Sequence, residues 1–497
     1  LQAFDLIIAQ DLGRLRKTLD AGNVYTLFPE DSGYPKAAQV YNGRFIVEPI
    51  AITYPQNADQ VSIAIEAGAE QNIRVVSRSG GHSYIANGLG GKNGSLVVDM
   101  SNFSNVTLDS STNLAIIQPG CRLGDIALAL NDYGRAIPHG HCSTVGLGGH
   151  AAHGSWGFVS RQWGLTLDHV VSAQLVLANG SITTVSAENN PELFWGVRGS
   201  ASFGIVTSYE FSTVAIPEEG TYFVYNWNVS VAEASTFLTS LQDFVQSGIP
   251  STLGLELRLF RGNIAGNLSI QLDGAYFGSH DSYTETIQPY LDTLPPPGLT
   301  TIAQGNWIET VAALTFGALN TSTQAPINDT FYAKSLMVPE DSPLSKDAID
   351  ALMSYLDTVG FSTTDVFWFV EIELYGGSNS AINLVPVDQT AFAHRNKLFN
   401  MQLYATSIVP PYPEDGFTFL DGVYCYLYHR CHNFQQPRRL ELWVRVSLFT
   451  VTYMNYPDNR LDNWQDLYYG SHYTRLQALK KEFDPSNIFS FPLAIEE

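Results

Sequence analysis

The chain has 497 residues, 45% of them apolar and 15% charged, with 26 Lys and Arg against 48 Asp and Glu for a net charge of −22. A chain of this length and composition buries a large core without staples, which excludes a small disulfide scaffold and a disordered polymer. Its acidic surface repels phosphate backbones and anionic lipid, so neither nucleic acid nor a membrane is an expected partner.

The sequence opens on Leu1 rather than Met, which suggests that a leader has been removed. From Phe45 to Val76 the pattern reads as a strand, a helix over Asn57 to Glu70 and a β-rich run over Ile73 to Ser77. Further strands are expected at Ser95 to Met100 and Leu114 to Gln118, then a helix over Leu123 to Tyr133. Val170 to Val176 should pair with Ile182 to Val185 across Ala178-Asn179-Gly180, since Asn-Gly favours a tight hairpin. After Phe211 the texture changes to longer alternating runs, among them Leu255 to Leu259 and Leu268 to Ala275, so a second domain is expected from about residue 214. No run reaches 18 apolar residues, which argues against a membrane-spanning helix. Sequons at Asn93, Asn102, Asn105, Asn179, Asn228, Asn267, Asn320 and Asn328 favour a secreted, extracellular glycoprotein. The four cysteines, Cys121, Cys142, Cys425 and Cys431, allow at most two disulfides.

Two glycine-rich segments carry reactive side chains: Arg78-Ser79-Gly80-Gly81-His82-Ser83-Tyr84 and Gly140-His141-Cys142-Ser143-Thr144-Val145-Gly146-Leu147-Gly148-Gly149-His150. Glycines let backbone N–H groups approach a pyrophosphate, and an imidazole or a thiol can attack an electrophilic cofactor. Neither segment contains Gly-x-Gly-x-x-Gly, and Gly91-Lys92 is followed by Asn93 rather than Ser or Thr, so nicotinamide and ATP folds lose support. His139, His141, Cys142, His150 and His153 are interleaved with glycines instead of holding the spacing of a zinc site, and no metal is expected.

With these loops, the segments Pro191 to Gly199, Phe203 to Thr207, Tyr453-Met454-Asn455-Tyr456-Pro457-Asp458 and Phe483 to Phe489 resemble the berberine-bridge-type flavoproteins of the vanillyl-alcohol-oxidase fold. Glu373-Leu374-Tyr375-Gly376-Gly377, Ala393-His394-Arg395 and Pro411-Tyr412-Pro413 bring the likeness closest to fungal carbohydrate oxidases. The resemblance implies an α+β protein of two domains, with an FAD domain from residues 1–213 and 452–497 and a substrate domain with a large antiparallel sheet over 214–451. It implies FAD covalently bound through both His82 and Cys142. Arg78, Ser79, Gly80, Gly81, Ser83, Val145, Gly146, Gly149, His150, Gly154, Gly157, Ile205, Val206 and Asn455 would surround the cofactor.

The implied activity is oxidation of the anomeric C1 hydroxyl of mono- or oligosaccharides to the lactone, with O₂ reduced to H₂O₂. Tyr456 would be the base, since removing the hydroxyl proton must accompany hydride loss. Glu373 would assist it, at a position where the carbohydrate oxidases tend to carry Asp. Glu371 and Gln402 would bind sugar hydroxyls, and Tyr84 and Phe369 would stack on the ring. A non-sugar alcohol as substrate, or a flavin-bound glycan-binding protein without turnover, are the alternatives; a monomer is expected. His153-Gly154-Ser155 departs from the family's triple glycine, and Val423 to Thr450, with Cys425, Cys431, Arg438, Arg439 and Arg445, does not resemble it, as an insertion or a reading-frame error would explain.

Overall fold

Asn57 accepts a hydrogen bond from the amide of Gln60 and so caps the helix Ala58–Ala69, whose Val61, Ala64 and Ile65 are buried. That helix covers a four-stranded sheet in which Ala51–Thr53, Leu96–Asp99 and Val75–Arg78 run parallel and Thr26–Leu27 adds an antiparallel edge. The chain is described by a computed structural model over residues 2–315, 318–323, 329–428 and 451–496. Cys431, Arg438, Arg439, Arg445 and the sequon Asn328 lie outside the described residues.

A second, five-stranded antiparallel sheet contains the expected hairpin, Val170–Val176 with Ile182–Ser186. Its turn depends on Gly180 at φ +79°, a left-handed conformation that costs glycine little. The helix Leu123–Asn131 and the C-terminal helix Tyr473–Phe483 pack into the same core, where Ile126, Leu130, Leu476 and Leu479 meet Phe203 and Phe211. Lys480 and Asp484 pair inside this layer with no side-chain exposure, and the ammonium also donates to the carbonyls of Ser202 and Phe489.

The alternating runs after residue 214 form a seven-stranded antiparallel sheet. In spatial order its strands are Leu299–Gly305, Gly220–Ser230, Asn267–Tyr276, Leu253–Arg261, Phe367–Leu374, Lys397–Thr406 and Phe331–Pro339. Strand side chains alternate between faces. Leu255, Leu257, Leu259, Val370 and Ile372 therefore share one face, which buries against helices Val231–Gln246, Lys346–Tyr355 and Glu414–Tyr428. Glu256, Arg258, Phe260, Phe369, Glu371 and Glu373 project from the other face, where apolar helices give way to a cavity. The α+β expectation with a large antiparallel sheet holds. Among the described residues no helix is long and apolar enough to cross a membrane.

Candidate functional site

The two glycine-rich loops cross each other in direct backbone contact. A Cβ on Gly80 would lie 2.2 Å from the amide nitrogen of Gly146, and one on Gly146 would lie 2.1 Å from that of Gly80. Only glycine at both positions permits this crossing. Arg122 fastens it, donating through Nη1 to the carbonyls of Gly80 and Thr144 at 2.5 Å each. Ser79 ties the same crossing to Pro119 and accepts from the amide of Gly148.

The crossing brings His82 and Cys142, 60 positions apart in sequence, to the wall of one cavity of about 620 Å³. Burial, then the nearby Arg122 charge, lowers His82 to a pKa of about 4, so its imidazole is neutral near pH 7 and keeps a lone pair for attack. Cys142 is a free, half-buried thiol. The Tyr41 ring lies 4.5 Å from the His82 ring. Asn42 ties this wall to the sheet, its side-chain amide donating to the carbonyls of Tyr84 and Phe331.

The opposite wall is the cavity-facing side of the large sheet, where strand register sorts the side chains into ranks. Asp273, Glu256, Glu373 and Asn400 lie side by side in the first rank. Gln271, Arg258, Glu371 and Gln402 form the second, and Ser269, Phe260, Phe369 and Tyr404 the third. Arg258 holds the first two ranks together, donating through Nε to Glu371 at 2.7 Å, through Nη1 to Asp273 at 3.1 Å and through Nη2 to Glu256. The carboxylates of Glu256, Glu371 and Glu373 come within 4.8 Å of one another, and the cation among them is this guanidinium. One positive charge does not balance these buried acids, and the imbalance favours the protonated form of Asp273 and Glu373. Burial raises Asp273 to about 6 despite Arg258, and burial with the neighbouring Glu371 charge pushes Glu373 well above the ordinary carboxyl range.

Tyr456 meets Glu373 at the inner end of these ranks. Its hydroxyl donates to Glu373 Oε1 at 2.5 Å, while Asn400 donates to Oε2. Glu373 spans the gap to the phenol despite being one methylene longer than Asp. Tyr456 stacks at 5.9 Å and 13° on Tyr84, whose hydroxyl accepts from Gln402 at 2.7 Å. Burial, then Glu373, raises the Tyr456 phenol well above its ordinary pKa. Its proton is therefore held until an acceptor takes it.

The segment carrying Tyr456 is pinned on both sides. Tyr453 accepts the amides of Ser155 and Trp156 on its hydroxyl and exchanges backbone hydrogen bonds with the Ser335 hydroxyl. Asp458, 2% exposed, accepts from Lys334 at 2.7 Å and from the Tyr332 hydroxyl at 3.0 Å. Ser335, Lys334 and Tyr332 all belong to the strand Phe331–Pro339, so Tyr456 is positioned by the sheet that lines the cavity. Lys334→Met strands the buried Asp458 without this cation and is expected to cost about 3–5 kcal/mol, read as a lower denaturant midpoint.

Of the residues expected from sequence, Ser79, Gly80, Gly81, His82, Ser83, Tyr84, Cys142, Val145, Gly146, Gly149, His150, Ile205, Val206, Phe369, Glu371, Gln402, Asn455 and Tyr456 line this one cavity. Glu373 sits just behind Tyr456, with no exposure. Arg78 lies outside the lining, paired with Asp99 at 2.5 Å and bonded to the Ala37 carbonyl. Gly154 and Gly157 shape the wall from behind: a Cβ would strike the Phe392 ring at the first and the His139 carbonyl at the second. In the departing sequence, Ser155 adopts φ +78° and its hydroxyl turns back to the His150 carbonyl, while Asn455 holds the His153 carbonyl. Tyr41, Arg258 and Phe260 line the cavity without having been anticipated. The sequence signal for the last two was Glu256, Arg258 and Phe260 alternating with leucines in one strand.

The cavity fits a flavin on the chain's own evidence. It lies in the size range of cofactor clefts, Gly149 faces open space where a Cβ would meet nothing within 4 Å, and both candidate attachment residues open into it. Residues 49–186 match the FAD binding domain family, and residues 452–496 match the berberine and berberine-like family. The chain is 34% identical to the carbohydrate oxidase of Microdochium nivale, over 97% of this chain and 95% of that one. A solved chitooligosaccharide oxidase superposes with a TM-score of 0.88 at 32% identity, covering 97% of this chain and 99% of its own. The glucooligosaccharide oxidase of Acremonium strictum, described as carrying 6-S-cysteinyl, 8α-N1-histidyl FAD, does so at 0.86 and 31%, with 97% and 99% covered. The chain thus belongs to the berberine-type family of FAD-linked oxidoreductases that includes the carbohydrate and oligosaccharide oxidases.

Proposed function

We propose that this protein is a secreted oxidase of mono- and oligosaccharides, converting the C1 hydroxyl to the lactone with O₂ as acceptor, on FAD attached through His82 and Cys142. Residues 1–213 and 452–497 would hold the cofactor and 214–451 the sugar. The observation that carries the reading is the Tyr456–Glu373 hydrogen bond at the inner end of the cavity into which both attachment residues open. The named relatives and the match to a protein with bicovalent FAD support it. Exposed sequon asparagines at 93, 102, 105, 179, 228 and 320 suit a glycosylated, secreted chain.

FAD held by His82 and Cys142 would supply the acceptor for the hydride lost from C1 and the route for the electron pair to O₂ as H₂O₂. The chain's own residues deal with the proton and the ring. The C1 hydroxyl gives its proton to the Tyr456 oxygen as the phenolic proton moves to Glu373, whose raised proton affinity suits it as the terminal acceptor. Glu371, oriented by Arg258, and Gln402, oriented by the Tyr84 hydroxyl, meet the other sugar hydroxyls. Tyr84 presents a ring face to the sugar beside the base.

The test is oxygen uptake and peroxide release with gluco-, xylo- and chito-oligosaccharides beside phenolic and terpenoid alcohols, with the product identified by mass. Sugars should yield the lactone or its aldonic acid, one H₂O₂ per sugar. Turnover of the alcohols alone would transfer the same flavoprotein site to a different substrate, and turnover of none would leave a binding protein.

A further inference from the structure

The cavity-facing side chains of the strand Phe367–Leu374 change in character and exposure at every second residue. Glu373 is fully buried and Glu371 is 4% exposed, Phe369 is half-buried, and Phe367 is 58% exposed at the cavity mouth. Strand geometry separates successive members by about 6.7 Å, comparable to one pyranose ring. Phe260, on the neighbouring strand, bridges the outer pair, its ring centroid 6.3 Å from that of Phe369 and 6.0 Å from that of Phe367. All three phenylalanines line the same cavity as His82 and Tyr456.

Phe260 is tilted by 35° against Phe367 and by 55° against Phe369, so the three rings form a faceted apolar surface with Phe367 more than half exposed, and an exposed aromatic face takes the C–H face of a sugar. The first two ranks already engage one sugar, with Tyr456 and Glu373 at C1 and Glu371 and Gln402 at its hydroxyls. Phe369, backed by Tyr404 at 4.9 Å and 15°, faces the next ring outward.

We propose that Phe260 and Phe367 form an outer stacking subsite that takes the third ring of an oligosaccharide, counted from the end being oxidised. This inference rests on the sugar-oxidase reading and adds a preference for three or more rings. The surface ends at Phe367, so affinity should rise from one to three rings and then level off.

The experiment compares wild type, Phe367→Ala, Phe260→Ala and Phe367→Trp on glucose and on cello-oligosaccharides of two to five rings. Competitive inhibition by the methyl glycosides of the same sugars, which lack a free C1 hydroxyl and are not turned over, gives a binding readout. Each alanine variant should lower kcat/KM for the trisaccharide relative to the monosaccharide by roughly 3- to 10-fold, through KM and with kcat unchanged. The inhibition constant of the methyl trisaccharide should weaken in parallel, and Phe367→Trp should restore both. A loss that is equal at every length, or no loss at all, overturns the outer subsite while the sugar-oxidase reading stands. A wild-type enzyme that oxidises none of these sugars, nor xylo- or chito-oligomers, overturns both.

Discussion

The His82→Ala/Cys142→Ala double variant is expected to release all of its flavin when denatured, whereas each single variant keeps the flavin on the protein. Two covalent anchors on separate loops are independent attachments, so losing one leaves the other, and only the double variant holds FAD by non-covalent contacts that unfolding destroys. Acid precipitation reads this directly: a yellow pellet for wild type and both single variants, a colourless pellet and a yellow supernatant for the double variant. A yellow pellet from the double variant would mean that another residue carries the cofactor. Gly146→Ala should act on both anchors together, because its Cβ meets backbone atoms of Gly80, which cannot swing aside, as well as the Ser79 hydroxyl. Flavin attachment in that variant should fall even though neither nucleophile has changed.

The same crossing explains what could be read in the sequence. His82 and Cys142 stood out because each lies in a run of glycines that few structural roles require, and the hairpin at Gly180 was legible because Asn-Gly encodes its own turn. Why Gly80 and Gly146 are glycines was not legible, since their partner is each other across 66 positions. Arg258 shows the same limit. An arginine in an alternating strand reads as an exposed side chain, and only the register that sets it opposite Glu371 turns it into the cation of a buried acidic site. Phe260 and Phe367 were hidden likewise, because one strand's sequence names its two faces without saying which opens on a cavity. Glu373 was found through its likeness to an acid in related oxidases, and its reach to Tyr456 is a matter of side-chain length that the sequence alone leaves open.

Tyr456→Phe should slow anaerobic flavin reduction by roughly 10²- to 10⁴-fold, the usual contribution of a positioned general base, with little change in the sugar concentration needed for half-saturation. The phenyl ring keeps its stack on Tyr84, so only the hydroxyl bonded to Glu373 is lost, and a group that acts as the C1 bond breaks contributes to rate more than to ground-state binding. Glu373→Gln should show the same split and also alter the pH profile. In wild type, protonated Glu373 cannot take the phenolic proton, so the reduction rate should climb with pH through a value above the ordinary carboxyl range, set by burial and then by the Glu371 charge. Glutamine has no such titration, and that limb should disappear. Stability should move the opposite way: the folded state holds a proton on Glu373 that the unfolded chain gives up at ordinary carboxyl pH. That contribution is fully present below the unfolded pKa and is lost as pH rises through the raised folded one. Above the raised folded pKa of Glu373, Glu373→Gln should therefore be slower in chemistry and no less stable than wild type, measured by stopped-flow reduction beside thermal unfolding. A variant that keeps both the wild-type rate and its pH dependence would move the proton acceptor to Glu371, a carboxyl beside Glu373 that itself lines the cavity.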